Sequence, residues 1–244
     1  MSGVIAVFKR ELASYFATPI AYVFILIFLI VSGGFTFFFG GFYEAGQADL
    51  GAFFYWHPWL YLLLVPALSM RLWAEERKSG SIELLMTLPL ETWQVVAGKY
   101  LAAWAFTAIT VALTFPIWIT VNYLGEPDNG VIFAAYLGSI LMAGGFLAVG
   151  ACLSAVTKNQ VIAFILSVVT CFALLVPGVA IVQQVLSGIA PQWLVDGLVA
   201  IGPQAHFDYI SKGVIDLRDI VYFALLIGVA LYANAVVLEL KKAS

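Results

Sequence analysis

Charge is absent from six long intervals of this chain: 12–43, 50–70, 100–125, 129–157, 159–195 and 220–238. About 20 apolar residues suffice to cross the hydrocarbon core of a bilayer. A charge at its centre costs roughly 2.5–3.5 kcal/mol on the insertion scale. The intervals therefore mark spans and the charges between them mark aqueous loops. Trimmed to crossing length, six helices are expected near 20–42, 51–71, 98–121, 131–156, 160–182 and 219–239. The expected fold is an all-α integral membrane protein forming one domain over 1–244. Composition agrees: 63% of residues are apolar and 10% charged, against about 25% charged in soluble domains.

Orientation follows from the basic residues, which concentrate on the cytoplasmic side. With the N-terminus inside, nine of eleven fall there: Lys9, Arg10, Arg71, Arg77, Lys78, Lys99, Lys158, Lys241 and Lys242. Only Lys212 and Arg218 fall outside, and loops 43–50 and 122–130 carry only Glu44, Asp49, Glu126 and Asp128. Both termini are expected in the cytoplasm. No cleavable signal peptide is expected, because the basic Lys9-Arg10 is followed by Glu11 and then by a run too long for a signal core.

Two segments do not read as crossings. Over residues 2–17, Val4, Ile5, Phe8, Leu12, Tyr15 and Phe16 share one arc of a helix while Ala6, Arg10 and Ser14 lie opposite. Thr18-Pro19 breaks the pattern. This predicts an amphipathic helix in the cytoplasmic interface. The fifth interval is too long for one span, and Gly188, Pro191, Gly197, Gly202 and Pro203 interrupt its tail and the apolar residues beyond it. The segment 183–218 is expected to be extracytoplasmic, with a re-entrant hairpin in its first part.

The polar segment between spans two and three is the place to look for function. Six ionisable residues, Arg71, Glu75, Glu76, Arg77, Lys78 and Glu83, lie within the thirteen residues from 71 to 83. Gly80 permits a turn, Ile82, Leu84, Leu85 and Met86 suggest a short helix, and Pro89 stops it. Thr92 is expected to cap the third span. A short helix showing Glu83 beside Leu and Met side chains suits a partner's groove.

Enzyme chemistry finds no footing. Gly98-Lys99 lacks the upstream glycine and following Ser/Thr of a phosphate-binding loop, so Lys99 reads as a snorkelling anchor. His57 and His206 stand apart without ligand spacing, and Cys152 and Cys171 lie in apolar runs as small buried hydrophobes. No catalytic, cofactor-binding or metal site is expected. Ionisable residues of the kind proton-coupled carriers use are expected to be missing from the middle of the spans. Energy is expected to enter through the 72–92 loop.

The residues of that loop carry a resemblance. Met70-Arg71-Leu72 and Ala74-Glu75-Glu76, then SGSIELL at 79–85, TLP at 87–89 and Val96 with Gly98-Lys99 resemble the permease subunits of type 2 ABC exporters. With HFDYISKGVIDLRDIVYF at 206–223, the pattern is most similar to the gliding-motility and nitrous-oxide-reductase-maturation branch. The resemblance implies a cytoplasmic coupling helix in 72–92, with Glu75, Glu76, Arg77, Gly80, Glu83, Leu84 and Pro89 as the contact residues. It implies a bacterial cytoplasmic-membrane protein working with a separate ATPase chain that binds ATP and Mg, and with a second, identical or different, permease chain. It implies no nucleic-acid partner. Small residues such as Gly144, Gly145 and Gly150 are expected to serve helix packing. Two functions fit: export of a solute, or ATPase-coupled mechanotransmission that moves none.

Overall fold

The computed structural model describes residues 2–82 and 89–242, which are helical with no strand among them. The order begins α1 Ser2–Phe16, then α2 Pro19–Gly34 with a π-helical continuation Phe35–Phe39, α3 Phe42–Ala45, α4 Gly51–Ser69 and α5 Ala74–Ser79. Next come α6 Thr92–Ala112, α7 Phe115–Leu124, α8 Asn129–Val156 and α9 Gln160–Leu175. The chain closes with α10 Ala180–Ile189, α11 Gln192–Ile201, α12 Pro203–Ser211 and α13 Leu217–Lys242.

Among the described residues, five stretches are long and apolar enough to cross a membrane: Pro19–Phe39, Thr92–Leu124, Asn129–Val156, Gln160–Gly178 and Leu217–Lys241. The sixth expected span is α4, 19 residues long. Its hydropathy is lower because His57, Pro58, Pro66 and several Tyr and Trp replace aliphatic side chains. Unlike the rim helices, α4 is wrapped by its neighbours, with Phe53, His57, Tyr61, Val65 and Ser69 among its buried residues. Such shielding is what lets a helix keep polar groups at membrane depth.

The centre of the bundle is α8, which α4, α6, α9, α12 and α13 all touch. Its glycines allow the approach. A Cβ on Gly150 would lie 2.1 Å from Ser69 Oγ, and one on Gly144 would lie 2.6 Å from Trp104 Nε1. Side chains at these positions would force the helices apart, as expected for small residues at helix contacts. Asp128 starts α8 by accepting from the N–H groups of Gly130 and Val131, and Asn159 does the same for α9 with Val161 and Ile162.

Several boundaries differ from the sequence reading. The third span, expected over 98–121, starts its helix at Thr92 and pauses at Leu113-Thr114 before α7. Pro116, in the first turn of α7, has no N–H for an unbroken ladder. Thr92 is not the cap: Glu91 is, in a reciprocal capping box with Gln94. In the fifth expected span the α-helix ends at Leu175 and Val176–Gly178 tightens into a 3₁₀ turn containing Pro177, so the helical stretch stops at Gly178, not 182. The next two helices, α10 and α11, have 10 residues each. At 1.5 Å per residue each is about 15 Å long, half of a hydrocarbon core.

Candidate coupling site at the charged end of the bundle

The site is built where α4 ends and α5 begins. Ser154, near the last turn of α8, is fully buried. Its Oγ accepts the backbone N–H groups of Trp73 (3.2 Å) and Ala74 (3.1 Å) and donates to the Met70 carbonyl (2.9 Å). One hydroxyl therefore satisfies three backbone groups of an irregular turn that would otherwise be buried unpaired. Arg77 adds a second tie, donating from Nη1 to the Ala155 carbonyl at 2.9 Å; partial burial lowers its pKa. Lys241, near the end of α13, donates to the Val156 carbonyl. The ends of α4, α8 and α13 thus meet at one pole, and α5 is fastened beneath them.

Lys99 lies at the heart of this pole. It is 3% exposed, and its Nζ is 2.6 Å from Glu76 Oε1 of α5 and 3.1 Å from Glu11 Oε2 of α1. The ammonium also stands 5.5 Å from the centre of the buried Trp73 ring. Burial opposes ionisation of Glu11, but Lys99 and Arg10 outweigh it and hold its pKa below the ordinary value. A buried cation with carboxylates from two different elements is thus shared among α1, α5 and α6. A cleft of about 260 Å³ opens beside it, edged by Ser14, Thr18, Arg71 and Glu75.

Of the residues singled out in the sequence, Glu76 enters this cluster. Glu75 points outward, half-exposed, and pairs with Arg71 at 3.0 Å. Arg77 grips α8 through the Ala155 carbonyl. Gly80 closes α5 in the left-handed region, φ +74°, which favours glycine. Pro89 is exposed next to the start of α6. Glu83 and Leu84, and with them most of the expected coupling helix, lie outside the described residues. Lys99 is not a snorkelling anchor: it turns inward because two carboxylates await it.

Glu11, Trp73 and Ser154 escaped the sequence reading. Glu11 left a signal, since it sits among Val7, Phe8, Leu12 and Tyr15 on the side of α1 that faces α6. On that helix Val7 is buried and Ile5 is 52% exposed, so the inward arc is rotated from the expected one. Tyr15 fixes the far part of α1 by stacking on Phe106 at 5.2 Å, and burial raises its pKa.

Two further polar groups lie away from this pole. At the opposite end, His206 Nδ1 is 2.6 Å from Asp219 Oδ1 and Nε2 is 3.1 Å from the Ala200 carbonyl, under the stacked Tyr222 ring. They border a cleft of about 790 Å³ between α10, α11 and the start of α13. Burial raises the pKa of nearby Asp208, against the pull of Lys212 and Gln204. Within the bundle, His57 Nδ1 is 2.6 Å from Ser139 Oγ, which is 2.5 Å from the Tyr61 hydroxyl. The expectation of spans without ionisable groups overlooked His57, which α4 hides among the rings of Phe28, Phe53 and Phe54. Among the described residues, no three His, Cys, Asp or Glu converge as a metal site.

A multi-pass helical membrane protein with a charged, ion-paired pole and short apolar helices at the other end is the class this fold defines. Residues 5–240 match the family model described as ABC-2 family transporter protein. The chain belongs to that family and is a transmembrane permease component of an ABC transporter, a transport part that is not itself catalytic. Membership implies an ABC ATPase and a membrane as its partners. No curated protein matches the chain.

Proposed function

We propose that this chain is the membrane half of an ATP-driven exporter in a bacterial cytoplasmic membrane. A separate ATPase chain docks on the segment from α5 to the start of α6, and a second permease chain completes the translocation path. ATP and Mg bind to the ATPase. In this reading α4 completes six crossings, both termini are cytoplasmic, the charged pole faces the ATPase, and α10–α11 dip into the outer leaflet. The branch resemblance to gliding-motility and nitrous-oxide-reductase-maturation permeases belongs to this proposal and leaves the exported solute open.

The observation that carries the reading is the placement of Lys99. A short, polar element reached from outside the membrane is bonded through Glu76 to a lysine of a spanning helix, and through that lysine to α1. Force on α5 reaches α6 and α1 through a contact that is costly to break one partner at a time. Ser154 and Arg77 carry the same force into α8. The contact residues proposed for the ATPase are the outward ones, Glu75, Gly80 and Pro89, with Glu83 and Leu84 between them.

Replacing residues 78–90 with a Gly/Ser linker tests the docking surface and leaves Glu76, Arg77 and Ser154 in place. The expected result is loss of co-purification with the cognate ATPase at unchanged membrane insertion. Association at the wild-type level would show that the ATPase docks elsewhere.

A further inference from the structure

Between α1 and the first half of α6 runs a groove of about 420 Å³ that no described element fills. Ile5 and Phe8 form one wall. The other is the α6 stripe Leu101, Trp104, Ala105 and Ala108, spaced i, i+3, i+4, i+7 on one helical face. The two alanines give the groove its depth. The Trp104 indole is the one lining group with a polar atom, and its Nε1–H is already donated to the Ile140 carbonyl at 2.8 Å. Nothing in the walls offers water a hydrogen bond. At 1.5 Å per residue the stripe rises about 10 Å along α6, which makes a slot shaped for an extended alkyl chain.

A charge stands next to the slot. Lys9 lies one turn beyond Ile5 on α1, within the reach of an i, i+4 pair, and is exposed. It has no carboxylate partner among the described residues, whereas its neighbour Arg10 is paired with Glu11 at 2.6 Å. An apolar slot beside an unpaired ammonium matches an amphiphile with a hydrocarbon tail and an anionic head. We propose that this groove binds an anionic glycerophospholipid, one acyl chain lying along α6 and the phosphate resting on Lys9. The site rests on the reading that α1 lies in the cytoplasmic interface, because only there do tail and phosphate of one lipid fall at these two depths. Its occupant would brace α1 against α6 next to the Glu11–Lys99 pair, so that lipid composition bears on the coupling pole.

Trp104 reports on the groove directly. The full-length protein is placed in zwitterionic vesicles containing a minor fraction of lipid brominated in mid-chain, either anionic or zwitterionic. Emission from Trp104 is taken as the difference between the wild type and Trp104→Phe. The expected result is stronger quenching by the anionic brominated lipid, with apparent affinity about fivefold higher, as one lysine near a surface provides. Lys9→Gln, at an exposed position, should remove that preference and leave the emission otherwise unchanged. Ala105→Phe should abolish quenching by both lipids. Equal quenching by the two lipids in the wild type, or a preference that survives Lys9→Gln, would overturn the proposal while leaving the topology intact. No quenching even in a fully brominated matrix would place the groove outside the bilayer and overturn the topology with it. A disulfide between Ala105→Cys residues of two copies would give the groove to a second chain and likewise overturn it.

Discussion

Replacing Lys99 with methionine removes the charge and keeps most of the side-chain volume, so packing around Trp73 survives. What changes is the environment of two carboxylates, Glu11 and Glu76, which lose their shared cation. Removing one partner of a fully buried pair costs about 3–5 kcal/mol. Here the acids retain 17% and 20% exposure beside an open cleft. Water and protonation therefore relieve part of that cost, and the expected loss is about 1–3 kcal/mol. Neutralising all three groups (Glu11→Gln, Glu76→Gln, Lys99→Met) should recover much of it, because a satisfied neutral cluster is often as stable as a buried ion triad. The assay is thermal unfolding of the detergent-solubilised protein, read as a drop in Tm for Lys99→Met and partial recovery in the triple variant. A Lys99→Met protein as stable as wild type, or a triple variant less stable than the single one, would refute the argument that the triad is a coupled unit.

Other outcomes rest on the same contacts. The pKa of Glu11 is lowered in the fold from its ordinary 4.5, so its contribution is complete above about pH 5 and lost as pH falls through the folded value; Glu11→Gln should flatten that acid limb in a pH series of Tm, and an unchanged limb would remove Glu11 from the account. Gly150→Ala places a Cβ 2.1 Å from Ser69 Oγ and should cost about 1–3 kcal/mol by overpacking, read as a lower Tm; wild-type stability would show that α4 and α8 yield freely. Cysteines at the exposed Gln184 and Lys212, in a background lacking Cys152 and Cys171, should react with an impermeant thiol reagent from outside, and one at Lys78 from inside only; any other pattern contradicts six crossings with internal termini.

Much of this architecture was legible because charge spacing is a strong signal in a membrane chain. The N-terminal helix α1, the long apolar helices α8 and α13, and the short apolar helices after Leu175 are all set by where charges and prolines stand. The break before Phe115 was equally visible in Pro116, but an unbroken charge-free interval outweighed it. The site was legible only in part. Glu76, Arg77 and Gly80 announce themselves as charge and turn residues in a polar loop. Ser154 does not, since a hydroxyl that serves backbone groups 80 residues away looks like any small residue in a span. Lys99 was misjudged for a related reason. A lysine at a helix end faces water or protein depending on what packs there, and its partners Glu11 and Glu76 come from segments 88 and 23 residues distant.

In the function proposed above, nucleotide-driven motion enters through α5 and passes through Lys99 to α1 and α6. Spin labels on the exposed positions Lys78 and Lys9, in the permease reconstituted with its ATPase in a bilayer, measure that directly. The inter-label distance should change between the nucleotide-free and ATP-bound states in the wild type. Lys99→Met should abolish the change while the ATPase remains bound. A distance indifferent to nucleotide in the wild type, or an identical change in Lys99→Met, would contradict it.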